Sequence, residues 1–215
     1  GWFAQAYWHG AYIDTYGQSS PGLVVQSIGG GGGSGGSAFT VGAEDVIPLQ
    51  IGGGGSAGGN GIAAVAEVKG GQVRTRGANS AAVVAQTIGG GGGTGGSAQG
   101  LVANVGFGFD GSVGASGDGT VVDINGGASL ITGMNDDGTP DYDASDSPAV
   151  VAQGIGGGGG MGGSSLADAL TVAVPVDPED PANAVALSVS TAVGGTGGTG
   201  GAGGDVYVYL RDNSM

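Results

Sequence analysis

Short apolar runs alternate with glycine-rich segments along the whole chain. The runs are rich in Val, Ile and Ala and are bounded by Gly, Pro, Asn or Asp, which is typical of β-strands. Unbroken apolar runs such as AVVAQ also predict strands covered on both faces, as in parallel sheets. The clearest runs are LVVQSI (23–28), IAAVAEV (62–68), AVVAQTI (82–88), TVVDI (120–124), AVVAQGI (149–155) and VYVYL (206–210). Helical patterns are weak, so the chain is predicted to be all-β.

Three segments align without gaps and define a repeat. They are SPGLVVQSIGGGGGSGGS from Ser20, SAAVVAQTIGGGGGTGGS from Ser80 and SPAVVAQGIGGGGGMGGS from Ser147. Each segment has a glutamine two residues before an isoleucine: Gln26 and Ile28, Gln86 and Ile88, Gln153 and Ile155. In a solenoid each repeat packs mainly on its neighbours. Stacking of like positions would then join the three glutamines in an amide ladder.

The similarity extends outward and divides the chain into units. GAYIDTYGQSS (10–20) matches GQVRTRGANS (71–80), and each unit carries a second glycine-rich patch. The predicted division is a partial unit at 1–9, unit one at about 10–70, unit two at about 71–125, unit three at about 126–205 with insertions at 134–146 and 174–184, and the start of a next unit at about 206–215. Such a chain is expected for a window from a longer repeat array.

The glycine runs have a three-residue beat, clearest in GGTGGTGGAGGD (194–205). Three residues per turn is the period of a polyproline-II-type helix, and such polyglycine helices could pack side by side. Tight corners of a solenoid, where backbones approach closely, are another use of the same glycines. Flexible linkers are the third. The predicted fold is a parallel β-solenoid with glycine-rich segments of the polyglycine-II or corner type.

Composition narrows the function classes. The chain has 215 residues, 56 of them Gly, with 39% hydrophobic residues, 10% charged residues and a mean hydropathy of +0.17. Disordered chains combine low hydrophobicity with high charge, so an ordered array is favoured. The net charge of −14 argues against nucleic acid or anionic membrane surfaces as partners. There is no Cys, and no apolar run is long enough to be a membrane-spanning helix.

The motif VVAQTIGGGGGTGGS, followed by a second glycine patch, a Val-rich strand and a T-x-G-x-x-S element, resembles the glycine-rich passenger repeats of large autotransporter surface proteins of Gram-negative bacteria. The resemblance covers essentially the whole chain. It implies an extracellular β-solenoid stalk or adhesin secreted by the type V route. The signal sequence and C-terminal β-barrel of that family are not in the sequence, as expected for an excised passenger segment.

Few residues of this chain are suited to catalysis. His9 is the only histidine, and the glycine runs lack the G-K-[ST] of a phosphate loop. Paired carboxylates could hydrolyse glycosidic bonds, but the acids are expected to lie in insertions rather than on the repeated strands. The protein is therefore predicted not to be an enzyme and to need no cofactor other than, in one interpretation, calcium.

That interpretation rests on NDDGTPDYDASD (135–146), whose carboxylates could supply oxygen ligands to Ca²⁺. The candidate ligands are Asp136, Asp137, Asp141, Asp143 and Asp146. The alternative is a solvated acidic surface loop. The stretch VPVDPEDPANA (174–184) has a proline at every third position and is predicted to be an exposed polyproline-II insertion.

Half of the aromatic residues lie near the N-terminus. They are Trp2, Phe3, Tyr7, Trp8, Tyr12 and Tyr16. They could form an adhesive or sugar-stacking surface. They could instead fill the core, cover an open end of the solenoid or form a joint between subunits, because open strand edges must be covered or paired.

The expected function is a non-enzymatic structural segment of an extracellular bacterial surface fibre or adhesin stalk. Its partners would be neighbouring repeats or identical subunits, and host or surface carbohydrate or protein. A receptor-binding adhesin tip or tail-fibre-like module is the alternative, and a β-solenoid polysaccharide enzyme is a third. Whether one long chain or many short subunits build the fibre stays open.

Overall fold

The computed structural model describes residues 2–41, 49–101, 105–135, 137–141, 143–168, 172–175, 184–187, 190–212 and 214. All regular elements among these residues are β-strands. They are β1 (Ala4–His9), β2 (Tyr12–Thr15), β3 (Leu23–Ile28), β4 (Ala38–Val41), β5 (Leu49–Ile51), β6 (Ala64–Lys69), β7 (Gln72–Thr75), β8 (Val83–Ile88), β9 (Ala98–Leu101), β10 (Val105–Phe107), β11 (Thr120–Asn125), β12 (Ser129–Thr132), β13 (Val150–Ile155), β14 (Ser165–Asp168), β15 (Val172–Pro175), β16 (Ala184–Leu187), β17 (Thr191–Val193) and β18 (Val206–Leu210).

The strands stack in parallel, turn upon turn, as a β-solenoid. The five stacks, which we call the A, B, C, D and E sheets, are β1-β6-β11-β18, β2-β7-β12, β3-β8-β13, β4-β9-β14 and β5-β10-β17. Turn one begins with β1, turn two with β6, turn three with β11 and turn four with β18. Within a turn, three strands are followed by a glycine-rich segment, two more strands and a second glycine-rich segment. The parallel β-solenoid predicted from the repeat is confirmed.

Strand register follows the repeat. Gln86 is paired with Gln26 on one side and Gln153 on the other. Ala4 on β1 is paired with Ala64 on β6, so the N-terminal FAQA belongs to the same position in the turn as AVAEV. The repeated sequence therefore stacks like on like, which lets one packing solution serve every turn.

The A, B and C sheets enclose the main core, and we call this part the β-prism. Its centre is filled by small and medium apolar side chains, which fit the narrow space between three walls. The buried cluster is Val25, Ala64, Ala66, Val68, Val73, Ala82, Val83, Ala85, Val122, Ile124 and Ala128. Inward and outward positions alternate along each strand, as in β6 and β8. The D and E sheets face each other at the far side of each turn.

Between these two regions the glycine-rich segments form two layers, which we call the glycine slab. Residues 29–37, 89–97 and 156–164 form the first layer, and 52–60, 108–118 and 194–204 form the second. In the first layer, the N–H of every third residue donates to the equivalent segment of the next turn. Gly92 donates to the carbonyl of Gly158 at 2.7 Å and Gly95 to that of Met161 at 2.8 Å. A second set of N–H groups, also three residues apart, donates to the second layer: Gly90 to the carbonyl of Gly59 and Gly96 to that of Gly53. The residue numbers rise along one segment as they fall along the other.

A period of three with hydrogen bonds between neighbouring segments identifies packed polyglycine-II-type helices, and not linkers. The layers run antiparallel to each other, while segments within one layer run parallel. None of the slab glycines has a positive φ. Glycine is needed here for close approach and not for an unusual backbone conformation.

A helix with three residues per turn has three rows of positions along its surface. One helix of turn two shows that glycine is needed on two of these rows. A Cβ on Gly92 would lie 2.0 Å from the carbonyl oxygen of Ser112 in the second layer. A Cβ on Gly93 would lie 2.0 Å from the carbonyl oxygen of Gly33 in turn one. A Cβ on Gly91 would meet nothing closer than 3.7 Å, because this row faces outward. In the first layer, the residues that interrupt the glycine runs, such as Thr94, occupy the outward row.

One sequence-based expectation about the strands is wrong. The AVVAQ runs are buried on their inward face only, and the outward residues Val84, Gln86 and Ile88 of β8 stay half-buried. The walls of the β-prism are single sheets with solvent outside, so only one face meets the core. The apolar outward residues are partly covered by their equivalents in the turns above and below.

Turn three carries the insertions. One connects β12 to β13, and the other lies between β14 and β17 and contains the antiparallel hairpin of β15 and β16. The segment expected to form a polyproline-II loop lies mostly outside the described residues, which resume at β16. The two insertions leave the stack at different corners of the turn.

Candidate functional site

A hydroxyl-rich corner locks each turn to the next. In turn two, Thr75 Oγ1 donates to the carbonyl of Ser80, and Ser80 Oγ donates to the carbonyl of Gly17 in turn one at 3.1 Å. The Ser20 N–H in turn donates to Ser80 Oγ at 3.0 Å. Ser147 repeats the arrangement against turn two, donating to Gly77 at 2.8 Å. The T-x-G-x-x-S element is thus an inter-turn clasp.

The glutamines of the repeat form an amide ladder on the outer face of the C sheet. Gln26 Nε2 donates to Gln86 Oε1 at 2.8 Å, and Gln86 Nε2 donates to Gln153 Oε1 at 2.7 Å. The isoleucines two residues later, Ile28, Ile88 and Ile155, are stacked beside it by the same register. Each side chain bonds its own equivalent, so the ladder rewards correct register between turns.

Five of the six N-terminal aromatic residues are exposed. Trp2 and Tyr12 are the most exposed, at 89% and 78%, followed by Tyr16, Tyr7 and Phe3. Trp8 differs: it points into the β-prism and packs on the core from β1. Its indole Nε1 is buried without a hydrogen-bond partner. The six aromatics therefore do not form one cluster, and a subunit joint or binding surface made of all of them stays a prediction.

Tyr16 belongs to a charged clip between turns one and two. Arg76 makes two hydrogen bonds to the Asp14 carboxylate, from Nε at 3.0 Å and from Nη2 at 2.7 Å. Its guanidinium also lies 4.5 Å from the centre of the Tyr16 ring. The hydrogen bond from Arg76 is the main cause that holds the pKa of Asp14 below its ordinary value. Arg76 thus joins turn two to turn one. Arg74, two residues earlier, binds a different neighbouring segment.

The acidic stretch forms a loop that is stabilised by its own hydrogen bonds. Asp137 Oδ1 accepts from the Thr139 hydroxyl and backbone N–H, at 2.6 and 2.9 Å, and these bonds lower the pKa of Asp137. Asp141 Oδ1 accepts from the Asp143 N–H at 3.0 Å. Arg74 anchors the loop by donating to the carbonyls of Met134 and Asn135.

Asp146 lies at the end of this loop with a φ of +53°, the same conformation as Ser19 and Asn79 before the clasp serines of turns one and two. Its role there is conformational. Asp136 lies outside the described residues. Among the residues that the structure does describe, no group of three His, Asp or Glu side chains is placed to hold a metal ion, and calcium binding stays a prediction.

A carboxylate pair that the sequence reasoning missed lies on the outer face of the A sheet. Glu67 on β6 is the register partner of Asp123 on β11. The expectation that the acids lie in insertions is wrong for these two. Aligning AVAEV with TVVDI by their place before the Gly-Gly turns would have put them side by side.

Like charges on adjacent strands repel each other, and the charge of Arg211 offsets this repulsion at Asp123. Arg211 Nη2 lies 3.2 Å from Asp123 Oδ2, and His9 Nε2 lies 3.9 Å from Glu67 Oε1. Arg211 also covers the ring of Tyr209 at 4.7 Å. The two acids are thereby flanked by His9 of turn one and Arg211 of turn four.

Comparisons with protein-family models, curated proteins and solved structures give no match for this chain. Among the described residues no helix is long and apolar enough to cross a membrane. The functional argument therefore depends on the chain's own geometry.

Proposed function

We propose that this protein is a non-enzymatic structural segment of an extracellular bacterial surface fibre or adhesin stalk, in which turns of this kind stack one on another. The observation that carries the proposal is the placement of glycine at the two ends of the slab. Glycine is kept there at six positions where a Cβ would meet no atom closer than 3.4 Å in this chain alone: Gly30, Gly33, Gly36, Gly194, Gly197 and Gly200.

At the first end, turn one can be compared with turn two. Cβ atoms on Gly90, Gly93 and Gly96 of turn two would lie 1.9–2.0 Å from carbonyl oxygens of turn one. Their equivalents in turn one are open: nothing lies within 4 Å of a Cβ on Gly30 or Gly36, and Gly33 meets only Ser56 Oγ at 3.8 Å. A further turn stacked on this end would restore the need for glycine.

The last end shows the same pattern independently. Cβ atoms on Gly108, Gly111 and Gly114 would lie 2.3–2.5 Å from carbonyl oxygens of turn three. The equivalents Gly194, Gly197 and Gly200 meet those of their own turn only at 3.4–3.6 Å.

The strand that opens turn four adds apolar surface at this end. Val206, Val208 and Leu210 are exposed, whereas their register partners in turn three are fully buried. The partners are Thr120, Val122 and Ile124. Another turn of the same construction would cover these side chains, as expected for part of a longer stack.

The location and secretion route come from the resemblance of VVAQTIGGGGGTGGS to autotransporter passenger repeats. An acidic surface, with 18 acidic against 4 basic residues, favours solubility for a protein with open sheet edges. A receptor-binding module is the second candidate, and the observation in its favour is the antiparallel hairpin of β15 and β16, which interrupts the repeat in turn three.

The test is electron cryo-microscopy of the protein as isolated, without refolding. We expect end-to-end stacks with an axial spacing of about 4.8 Å between strands. Alanine at Gly30, Gly33 and Gly36 together should not lower the melting temperature of the single chain, but it should shorten the stacks, because only a further turn meets these positions. Gly31→Ala, on the outward row, is the matched control and should not shorten them. Single particles at every concentration, or stacking unaffected by the triple substitution, would contradict the proposal.

A further inference from the structure

A shallow apolar cavity lies where the E sheet meets the glycine slab. Its volume is about 320 Å³, at the low end for small-ligand sites. The lining residues are Ile51, Phe107, Gly108, Phe109 and Asp110. Ile51 and Phe107 are register partners on β5 and β10, and with Phe109 they present exposed apolar side chains to solvent. A cavity of this size accommodates one bulky apolar side chain.

The Asp110 carboxylate is fixed beside the cavity by turn three. Its Oδ1 accepts from the Thr196 N–H at 2.6 Å and from the Thr196 hydroxyl at 2.9 Å. These bonds, the backbone one foremost, hold the pKa of Asp110 below its ordinary value, so the group carries a negative charge at neutral pH. Within the described part of the chain, Oδ2 has no hydrogen-bond or ion-pair partner, and it is free to accept from a ligand.

The site is preorganised, because three successive turns contribute to it. Ile51 comes from turn one, the phenylalanines and Asp110 from turn two, and the anchor Thr196 from turn three. Gly108 and Gly111, on either side of this stretch, are held in the slab against backbone carbonyls of turn three. Little ordering is then required on binding, which favours affinity.

We propose that this cavity binds a basic peptide segment of another protein, with an apolar side chain against Phe107 and Phe109 and an adjacent Lys or Arg paired with Asp110. Charge complementarity selects this occupant. The chain carries a net charge of −14, which attracts basic partners. The site combines aromatic faces and a carboxylate, and both favour a cation beside an apolar group.

The inference does not rest on the proposed function. Phe107, Phe109 and Asp110, which make the proposed contacts, belong to turn two in the middle of the stack, whereas stacking depends on the end rows of turns one and three. Failure of stacking and failure of peptide binding would therefore be seen in separate experiments.

The test is NMR titration of the full chain, labelled at Phe and Ile, with the blocked dipeptide acetyl-Phe-Arg-amide. We expect saturable shifts confined to Ile51, Phe107 and Phe109, with a millimolar dissociation constant that weakens with salt. Acetyl-Phe-Glu-amide and acetyl-Gly-Arg-amide should each bind at least about tenfold more weakly, since each lacks one of the two contacts. Equal binding of all three peptides, or no shift at these residues, would overturn the proposal.

Two substitutions and a control separate the contacts. Asp110→Asn keeps an oxygen acceptor for Thr196 but removes the charge, and it should weaken binding about tenfold. Phe109→Ala should do the same by removing apolar surface. Val113→Ala is the control: Val113 lies one helical turn after Asp110, outside the cavity lining, and its substitution should leave binding unchanged. Binding of 2-phenylethylamine as tight as that of the peptide would overturn the assignment to a peptide in favour of a small amine.

Discussion

The β-prism and the glycine slab are built by the same turns, yet they exclude water by opposite means. In the β-prism, side chains such as Val122 and Ile124 fill the space between walls. In the slab there are almost no side chains to bury, and backbones approach until carbonyl oxygens occupy the places where Cβ atoms would be. The comparison teaches that one solenoid can combine a core of side chains with a core of backbone hydrogen bonds.

The two regions should differ most in their tolerance of one added methyl group. Gly92→Ala or Gly93→Ala places a Cβ about 2 Å from a backbone carbonyl oxygen, and neither side can move without breaking the helix lattice. We expect a loss of about 3 kcal/mol, a large part of the total stability of a domain. Urea unfolding followed by circular dichroism measures it.

Gly91→Ala is the matched control in the same run. Its Cβ points outward, and alanine restricts the unfolded chain, so stability should rise by about 0.5 kcal/mol. Equal destabilisation by alanine at Gly91, Gly92 and Gly93 would show that the three-row packing is wrong.

In the β-prism, the loss of stability on truncating a side chain should depend on whether that side chain faces the core or solvent. Ile124 is fully buried, and Ile124→Ala should cost about 2–5 kcal/mol because it leaves a cavity. Ile155→Ala, on the outer ladder, should cost less than about 1 kcal/mol, since Ile155 is 42% exposed. Thermal unfolding of both variants gives the comparison, and similar losses would argue against the assigned inner face.

The clasp between turns should have an intermediate effect. Ser80→Ala removes the group that donates to Gly17 and accepts from the Ser20 N–H, leaving two polar groups without this partner. We expect a loss of about 1–3 kcal/mol and faster hydrogen exchange at Ser20. Ser34→Ala, on the outward row of the slab, should change neither quantity.

The charged clip should have the smallest effect and a definite pH dependence. Because the pKa of Asp14 is below its ordinary value of 3.8 in the folded chain, the ion pair with Arg76 stabilises the protein above that value. The contribution is lost as the pH falls through the lowered pKa. It should be below about 1 kcal/mol, since the Asp14 side chain is 33% exposed and solvent screens the pair. Asp14→Asn should remove this part of the loss of stability at acid pH, measured as the unfolding free energy against pH. An unchanged pH dependence below the ordinary pKa would contradict the assignment.

The repeat made much of this fold predictable. The equivalent places of Gln26, Gln86 and Gln153 in three segments that align without gaps were enough to predict the parallel stack, because like residues pair when turns are equivalent. The three-residue beat indicated polyglycine helices, but their antiparallel arrangement in two layers depends on contacts between distant segments. Asp110 was not found from sequence: it becomes distinctive only through Thr196, 86 residues later. The pairing of Glu67 with Asp123 was missed because the units were compared through their glycine motifs.

The outward row of the slab has a further consequence, for variation between related molecules. Ser34, Thr94 and Met161 occupy equivalent places on this row in successive turns, and at the glycines one helical turn earlier a Cβ would meet no atom closer than 3.7 Å. Along one helix such places recur about every 9 Å. The slab thus offers a rigid grid on which chemistry can change one residue at a time without altering the lattice below, so surface recognition could diverge while the scaffold is conserved.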